Sequence, residues 1–453
     1  MRIRIPRSQP GSRRPVRVGV LHSLTGPVAI AEKPIVDATL FAIDELNAAG
    51  GVLGRTVEPV VADGCSDWPT FAAEAERLIG EEGVAAIFGC YTSASRKTII
   101  PVVERHDSVL FYPTFYEGIE DCEHVVYGGS TANQSILPAV AWFLDNRGKR
   151  FFLVGSDYVY PRSVNAIVKD ALRALGGEVV AEVYLPLGQT DVAGTVAAIN
   201  DLRPEVILNT LVGDTNVPFF AALRRSGVTP RSIPSLSFVV AECELACMDS
   251  ERMAGDYIAS NYFQSIATPE NQRFVEAFRR RYGSDRVISD TMACAYSNVR
   301  MWAQAAQECR DTAAPAVRQA IRGQRYTSPE GPWYVDEENL HAWKRSRIGQ
   351  IRADGQLDIV WTSDHLIRPM PYSPYRTRRE WHEMLTGLYE GWGQSWACPV
   401  PPDTPEAVSW SRVEPAERGA CGARVVAQRQ GASGAPRVRR PKQQWRLHVR
   451  TRG

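Results

Sequence analysis

Three clusters of hydroxyl and tyrosine residues close apolar runs in this chain: Cys90-Tyr91-Thr92-Ser93, Tyr112-Pro113-Thr114-Phe115-Tyr116 and Ser156-Asp157-Tyr158-Val159-Tyr160. Their chemistry is that of binding. Hydroxyls both give and accept hydrogen bonds, and tyrosine rings wall a pocket while carrying a polar tip. Thr92 or Ser93 offers an N-cap to a helix starting near Ala94. The fresh amides of that helix, with Ser93 beside them, form a donor cluster for a carbonyl or carboxylate oxygen. No Lys or Arg is needed in such a wall, so a small neutral polar solute fits it better than an anion. A single cluster would read as an ordinary helix cap; the recurrence of the pattern favours a site.

Catalytic constellations are missing by comparison. Cys90 lies beside the first cluster, but no His or Lys adjoins it in sequence to activate it. His382-Glu383 begins like a zinc-hydrolase motif, yet Thr386 stands where the second His belongs. There is no Gly-x-Ser-x-Gly elbow. The nine cysteines include no CxxC pair, and Cys243 and Cys247 carry no nearby His, so they read as thiols rather than metal ligands. No metal or cofactor is expected, and an amide hydrolase is the weaker alternative to a binding protein.

The chain of 453 residues is long enough for two or three domains, and 44% hydrophobic with 23% charged residues is an ordinary globular balance. A net charge of +1 gives the whole molecule no strong pull on nucleic acid or membrane. That figure hides an asymmetry: Arg418 to Gly453 holds nine Arg, one Lys and no acid, so the main body is acidic. This basic tail, residues 399–453 with the prolines before it, and the Arg/Pro-rich residues 1–15 are expected to be disordered. The first fifteen residues lack the apolar segment of a secretory signal, and no run is long enough to span a membrane.

The elements that must position the three clusters alternate in period. Apolar runs at Val16–Leu21, Val57–Ala62, Ala85–Gly89 and Ser108–Tyr112 read as buried parallel strands. Arg150–Gly155, Glu178–Tyr184, Val206–Thr210, Ile233–Ser237 and Asp256–Ser260 read likewise. Helical stripes lie between them. His22–Lys33 reads as a loop, with Pro34 opening the first helix. The glycines of Ala49–Gly54 follow a helix and precede a strand, so they read as a C-cap rather than a dinucleotide loop. Two α/β lobes facing each other would bring Ser93 and Tyr112 opposite Tyr158, Tyr160 and Asp214, in a cleft that closes by rotation of the lobes. After Gly323 short strands around an Asp354-Gly355 turn form a finishing meander, and Thr377–Tyr389 reads as a last helix.

Five stretches carry a family resemblance: Val18–Gly26, Asn47–Arg55, Phe88–Lys97, Phe111–Gly118 and Gly155–Pro161. In order and spacing they resemble the urea and short-chain amide branch of the type I periplasmic binding proteins. That branch includes the substrate-binding subunit of urea ABC transporters and a cytoplasmic amide sensor that controls an aliphatic amidase operon. The resemblance spans about Val16 to Met370 and implies an α/β fold of two Rossmann-like lobes, joined by three crossovers, with a ligand cleft between them. Residues 16–132 with 265–327 would form the N-terminal lobe, 133–264 with 328–372 the C-terminal lobe, and 373–398 an extension. Tyr91, Ser93, Tyr112, Thr114, Tyr158 and Tyr160 fall on positions that line the family's pocket, while Asp214 and Ser237 lie on second-lobe strand ends. Phe115 departs from the residue often found at its position. The implied ligand is urea or a small neutral amide. The implied partner is an ABC permease, or a regulatory protein in the sensor reading, with no specific nucleic acid, no membrane insertion and a homodimer allowed. The resemblance places the protein in the periplasm; the missing export signal leaves a cytoplasmic location open.

Overall fold

A computed structural model describes residues 14–399; the expectations for the basic N-terminus, residues 1–15, and the basic tail, residues 399–453, lie outside the described part except at residues 14, 15 and 399. The first sheet is built from β1 (Val16–His22), β2 (Val57–Asp63), β3 (Ile87–Gly89), β4 (Leu110–Tyr112) and β5 (Val125–Tyr127), all parallel, in the order β2-β1-β3-β4-β5. Helices α1 (Ala29–Ala48), α2 (Trp68–Gly80) and α3 (Ser93–Arg105) connect its strands. After α4 (Ile136–Asn146) the chain enters a second sheet through β6 (Arg150–Ser156), α5 (Val159–Leu175), β7 (Glu178–Leu185), α6 (Ala193–Leu202) and β8 (Val206–Thr210). It continues with α7 (Asn216–Arg225), β9 (Ser235–Ser237), the short turns α8 (Glu242–Leu245) and α9 (Ser250–Met253), and β10 (Tyr257–Ser260). Buried apolar strands of this kind pair in parallel because helices cover both faces of the sheet.

The chain then returns. Helices α10 (Pro269–Tyr282), α11 (Asp290–Cys309) and α12 (Ala314–Ala320) send Phe274, Phe278, Met292, Trp302 and Val317 into one core with Val18 and Val20 of β1. A small antiparallel sheet follows, made of β11 (Arg325–Ser328), β12 (Gly331–Val335) and β13 (Ala342–Trp343). Only β14 (Arg347–Ile351) and β15 (Leu357–Thr362) join the second sheet, as antiparallel strands beyond β10. Trp333, Val335, Leu340 and Ala342, on and beside the small sheet, pack into the first core. The fold is the expected two-lobe α/β architecture.

Two local departures have clear causes. The first helix starts at Ala29, five residues before the expected Pro34, which sits inside it. Val28, Ala31 and Ile35 are buried in one cluster with Tyr91, so tertiary burial extends the helix past the backbone bond that a proline removes. Glu32 in that added turn accepts hydrogen bonds from His22 Nδ1 and the Ser23 amide, both at 2.9 Å. At the far end of the chain, α13 (Arg378–Gly391) begins at a capping box in which Thr377 and Glu380 satisfy each other's amides.

Candidate functional site

The carboxyl ends of β3, β4, β6, β8 and β9 converge on a small cavity of about 10 Å³, lined by Tyr91, Ser93, Thr114, Phe115, Tyr158, Tyr160, Val212 and Val239. Such ends are where open α/β sheets bind ligands, because the strand order of each sheet diverges there. In the first sheet the divergence falls between β1 and β3, and in the second between β6 and β8. Cys90 follows β3 in the left-handed region, at φ 64, so the chain turns sharply before Tyr91 and Ser93. The Thr92 hydroxyl accepts the Ser95 amide at 3.0 Å, fixing the start of α3 in the cavity wall.

Aromatic rings form the wall. Tyr91 meets Phe115 edge-on with centroids 6.4 Å apart, Phe115 lies 5.9 Å from Tyr160, and Tyr160 stacks 6.3 Å from Tyr158. The series runs from residues after the first sheet's strands to residues after β6. Burial pushes the hydroxyls of Tyr91, Tyr158 and Tyr160 well above the ordinary phenol range, so all three stay protonated. The Tyr160 hydroxyl is buried without a hydrogen-bond partner among the described residues.

Behind the wall lies a dense polar layer. Ser93 donates to Glu117 Oε2 at 2.6 Å and accepts from Arg96 Nη1 at 3.2 Å. The Arg96 guanidinium is fully buried, bonded to Glu120 at 2.7 Å and lying over the rings of Tyr112 and Tyr116. Burial alone would raise the Glu120 carboxyl, but Arg96 and Lys97 together pull it down to about 2. His341, stacked 4.0 Å from Tyr127, is driven by burial to about 4 and is neutral at ordinary pH.

Five of the eight residues expected from sequence meet in the cavity: Tyr91, Ser93, Thr114, Tyr158 and Tyr160. Tyr112 is not in the lining; its hydroxyl donates to the Tyr91 carbonyl at 2.7 Å and so holds Tyr91 from behind. Ser237 is also a support, accepting from Asn209 at 3.1 Å and from the amides of Val239 and Val240 at 3.3 and 3.0 Å. Asp214 is not in the lining either. It is exposed, and its contribution is a backbone amide that donates to the Pro27 carbonyl at 3.1 Å, joining the turn after β8 to the loop after β1. Gly213 makes that approach feasible: its φ is +67°, and a Cβ there would sit 2.3 Å from the Pro27 oxygen. Sequence reasoning missed Val212 and Val239, whose only signal is their place two residues past strand ends.

The sequence model of the periplasmic binding protein domain matches residues 16–378. The Leu/Ile/Val-binding protein homolog 6 of Brucella suis is 26% identical over 347 residues, covering 74% of this chain and 87% of that protein. A protein of Geobacillus stearothermophilus named limonene hydroxylase is 40% identical over 130 residues, and the chain covers only 23% of its length. A solute-binding protein of an ABC transporter from Rhodopseudomonas palustris BisB5, solved with 3,4-dihydroxybenzoic acid, shares the fold at a TM-score of 0.72 and 21% identity, covering 78% of this chain and 98% of that one. A leucine-binding protein from Thermotoga maritima does so at 0.67 and 22%, covering 77% and 98%. Among the described residues no helix is long and apolar enough to cross a membrane. With its two facing α/β lobes and a small walled cavity between their strand ends, the chain belongs to the periplasmic binding protein family.

Proposed function

We propose that this protein binds urea or a short-chain aliphatic amide and delivers it to the permease of an ABC transport system. The observation that carries the reading is the lining of the cavity, which offers hydroxyls and rings but no charged side chain. The cavity has about 10 Å³ of free space, room for roughly one water, far below the roughly 300–1,000 Å³ of pockets for drug-sized ligands, so a guest enters only as the lobes part, and a guest of few atoms asks for the least opening. An amino acid would bring an ammonium and a carboxylate, each needing a partner on desolvation. Urea and simple amides carry only neutral donors and acceptors. A ligand that small gains at most about −1.5 kcal/mol per heavy atom, so micromolar affinity requires nearly every polar atom to be paired. Tyr91, Ser93, Thr114, Tyr158 and Tyr160 are the proposed contacts; all five are already buried, so rotation of the two lobes about their crossovers would open the way in and closure would return them to this dry state.

A second reading has one observation of its own. The wall is rich in aromatic rings, and α3 begins at Ser93 within it, so the helix N-terminus could receive the carboxylate of a small aromatic acid such as the one held by the Rhodopseudomonas palustris protein. A cytoplasmic amide sensor acting through a protein partner would use the same cavity. Thermal-shift and calorimetric titrations with urea, formamide, acetamide, butyramide, leucine and 3,4-dihydroxybenzoate decide between the ligand classes. A true ligand raises the melting temperature with the logarithm of its concentration. Stabilisation by the benzoate or by leucine with none by the amides would refute the amide reading.

A further inference from the structure

The polar layer behind the cavity fixes more than the position of Ser93. We infer that Glu117 is a specificity-determining positioning residue: by taking the Ser93 hydroxyl proton it leaves Ser93 facing the solute as a hydrogen-bond acceptor. The inference rests on the amide reading of this cavity. Glu117 is fully buried, and its Oε2 receives the Ser93 hydroxyl at 2.6 Å. That distance is typical of a hydroxyl bonded to a carboxylate, the strong charge-assisted case. Arg96 lies opposite, with Nη2 3.7 Å from Glu117 Oε1, and holds the carboxylate in place. Arg96 Nη1 fills one lone pair of Ser93. A serine hydroxyl has one proton and two lone pairs, so what remains for the cavity is a single acceptor site.

The consequence is selection for solutes that carry an N–H. Acetamide and urea can donate to Ser93 while their carbonyl oxygen turns to a tyrosine hydroxyl, with the unpartnered one of Tyr160 available. Acetone has nearly the same shape but no donor, so it would leave the Ser93 lone pair unpaired in a dry site. In Glu117→Gln the donor-only Arg96 guanidinium draws the amide oxygen, which turns the amide NH2 toward Ser93. The hydroxyl proton is then released toward the cavity, and the acceptor becomes a donor.

A double-mutant cycle tests this on the full chain, with acetamide and acetone as probes. Calorimetry is run on the parent protein, Ser93→Ala, Glu117→Gln and the double variant. The expected result is that Glu117→Gln weakens acetamide binding by about tenfold in the Ser93 background and by less than about twofold in the Ser93→Ala background, with a reduced preference for acetamide over acetone. An equal loss in both backgrounds, or an unchanged preference, would overturn the inference while leaving the amide reading intact. Failure of the parent protein to bind acetamide or urea would remove the amide reading and the inference with it. If Glu117→Gln does not fold, Glu117→Asp keeps the charge opposite Arg96, withdraws the oxygen from Ser93 and carries the same cycle with the same outcomes.

Discussion

The Val159 amide donates to the Trp396 carbonyl at 2.9 Å, joining the start of α5 to the last described stretch of the chain. Tyr158 bridges to Ala397, and the Cys398 amide donates to the Asp157 carbonyl at 3.0 Å. The same stretch reaches the first lobe, where Lys97 lies 5.1 Å from the Trp396 ring and Arg378 pairs with Asp121. A C-terminal strap therefore supports the Tyr158–Tyr160 turn from outside the cavity. Its anchor is Trp381, fully buried, with Nε1 donating to the Ser373 carbonyl at 2.9 Å.

Removing that anchor tests the strap. Trp381→Ala is expected to lower stability by about 3–5 kcal/mol, the usual range for emptying a buried tryptophan site. Denaturant unfolding measures it. Solute affinity should fall as well, because the Tyr158 turn loses its backing; a stability loss with unchanged calorimetric affinity would show that the strap does not shape the cavity.

Tyr160 should separate stability from binding. Its buried hydroxyl has no hydrogen-bond partner among the described residues, so Tyr160→Phe should leave the melting temperature unchanged or raise it, since an unsatisfied buried group is unfavourable. The same variant should weaken solute binding by roughly 1–3 kcal/mol. A lower melting temperature with full affinity would contradict both halves of the expectation.

Lys344 and Glu330 form a buried ion pair at 2.8 Å, with the ammonium 4.2 Å from the Trp333 ring centroid. Lys344→Met should destabilise the fold by about 3–5 kcal/mol, because it strands a buried carboxylate. Adding Glu330→Gln should restore much of the loss. Urea unfolding of the single and double variants checks the difference.

Opposed titrations shape the dependence of stability on pH: they offset each other between 4.5 and 6.5, stability falls as pH rises above 6.5 along an alkaline limb, and it falls again below 4.5 along an acid limb. Burial raises Glu242 from 4.5 to about 8 and Glu244 to about 7. Between 4.5 and those values the folded state holds protons that the unfolded state has released, so stability decreases as pH rises through that window. His341 acts in the opposite sense. Its folded value of about 4 lies below the free value of 6.5, so its contribution is complete above 6.5 and is lost as pH falls toward 4. Glu242→Gln should flatten the alkaline limb in a pH series of thermal melts and leave the acid limb in place. An unchanged alkaline limb would show that Glu242 does not set it.

Much of this protein is legible from residue order. Buried apolar runs and helical stripes alternate, which dictates parallel sheets covered by helices. The hydroxyls and tyrosines at strand ends meet because the carboxyl ends of parallel strands share one edge; hence Tyr91, Ser93, Thr114, Tyr158 and Tyr160 share a cavity. Tertiary contacts decided the rest. Asp214 turns outward while Val212 faces in, a choice made by the close approach of Gly213 to Pro27. The added turn of α1 exists because Val28 and Ala31 find a core, which overrides the local signal of Pro34. The direction of the Ser93 hydroxyl depends on Glu117, and the hold on Val159 depends on Trp396. Periodicity reports only how a segment divides between core and solvent, whereas the sense of a hydrogen bond is set by whichever distant partner the fold buries beside it.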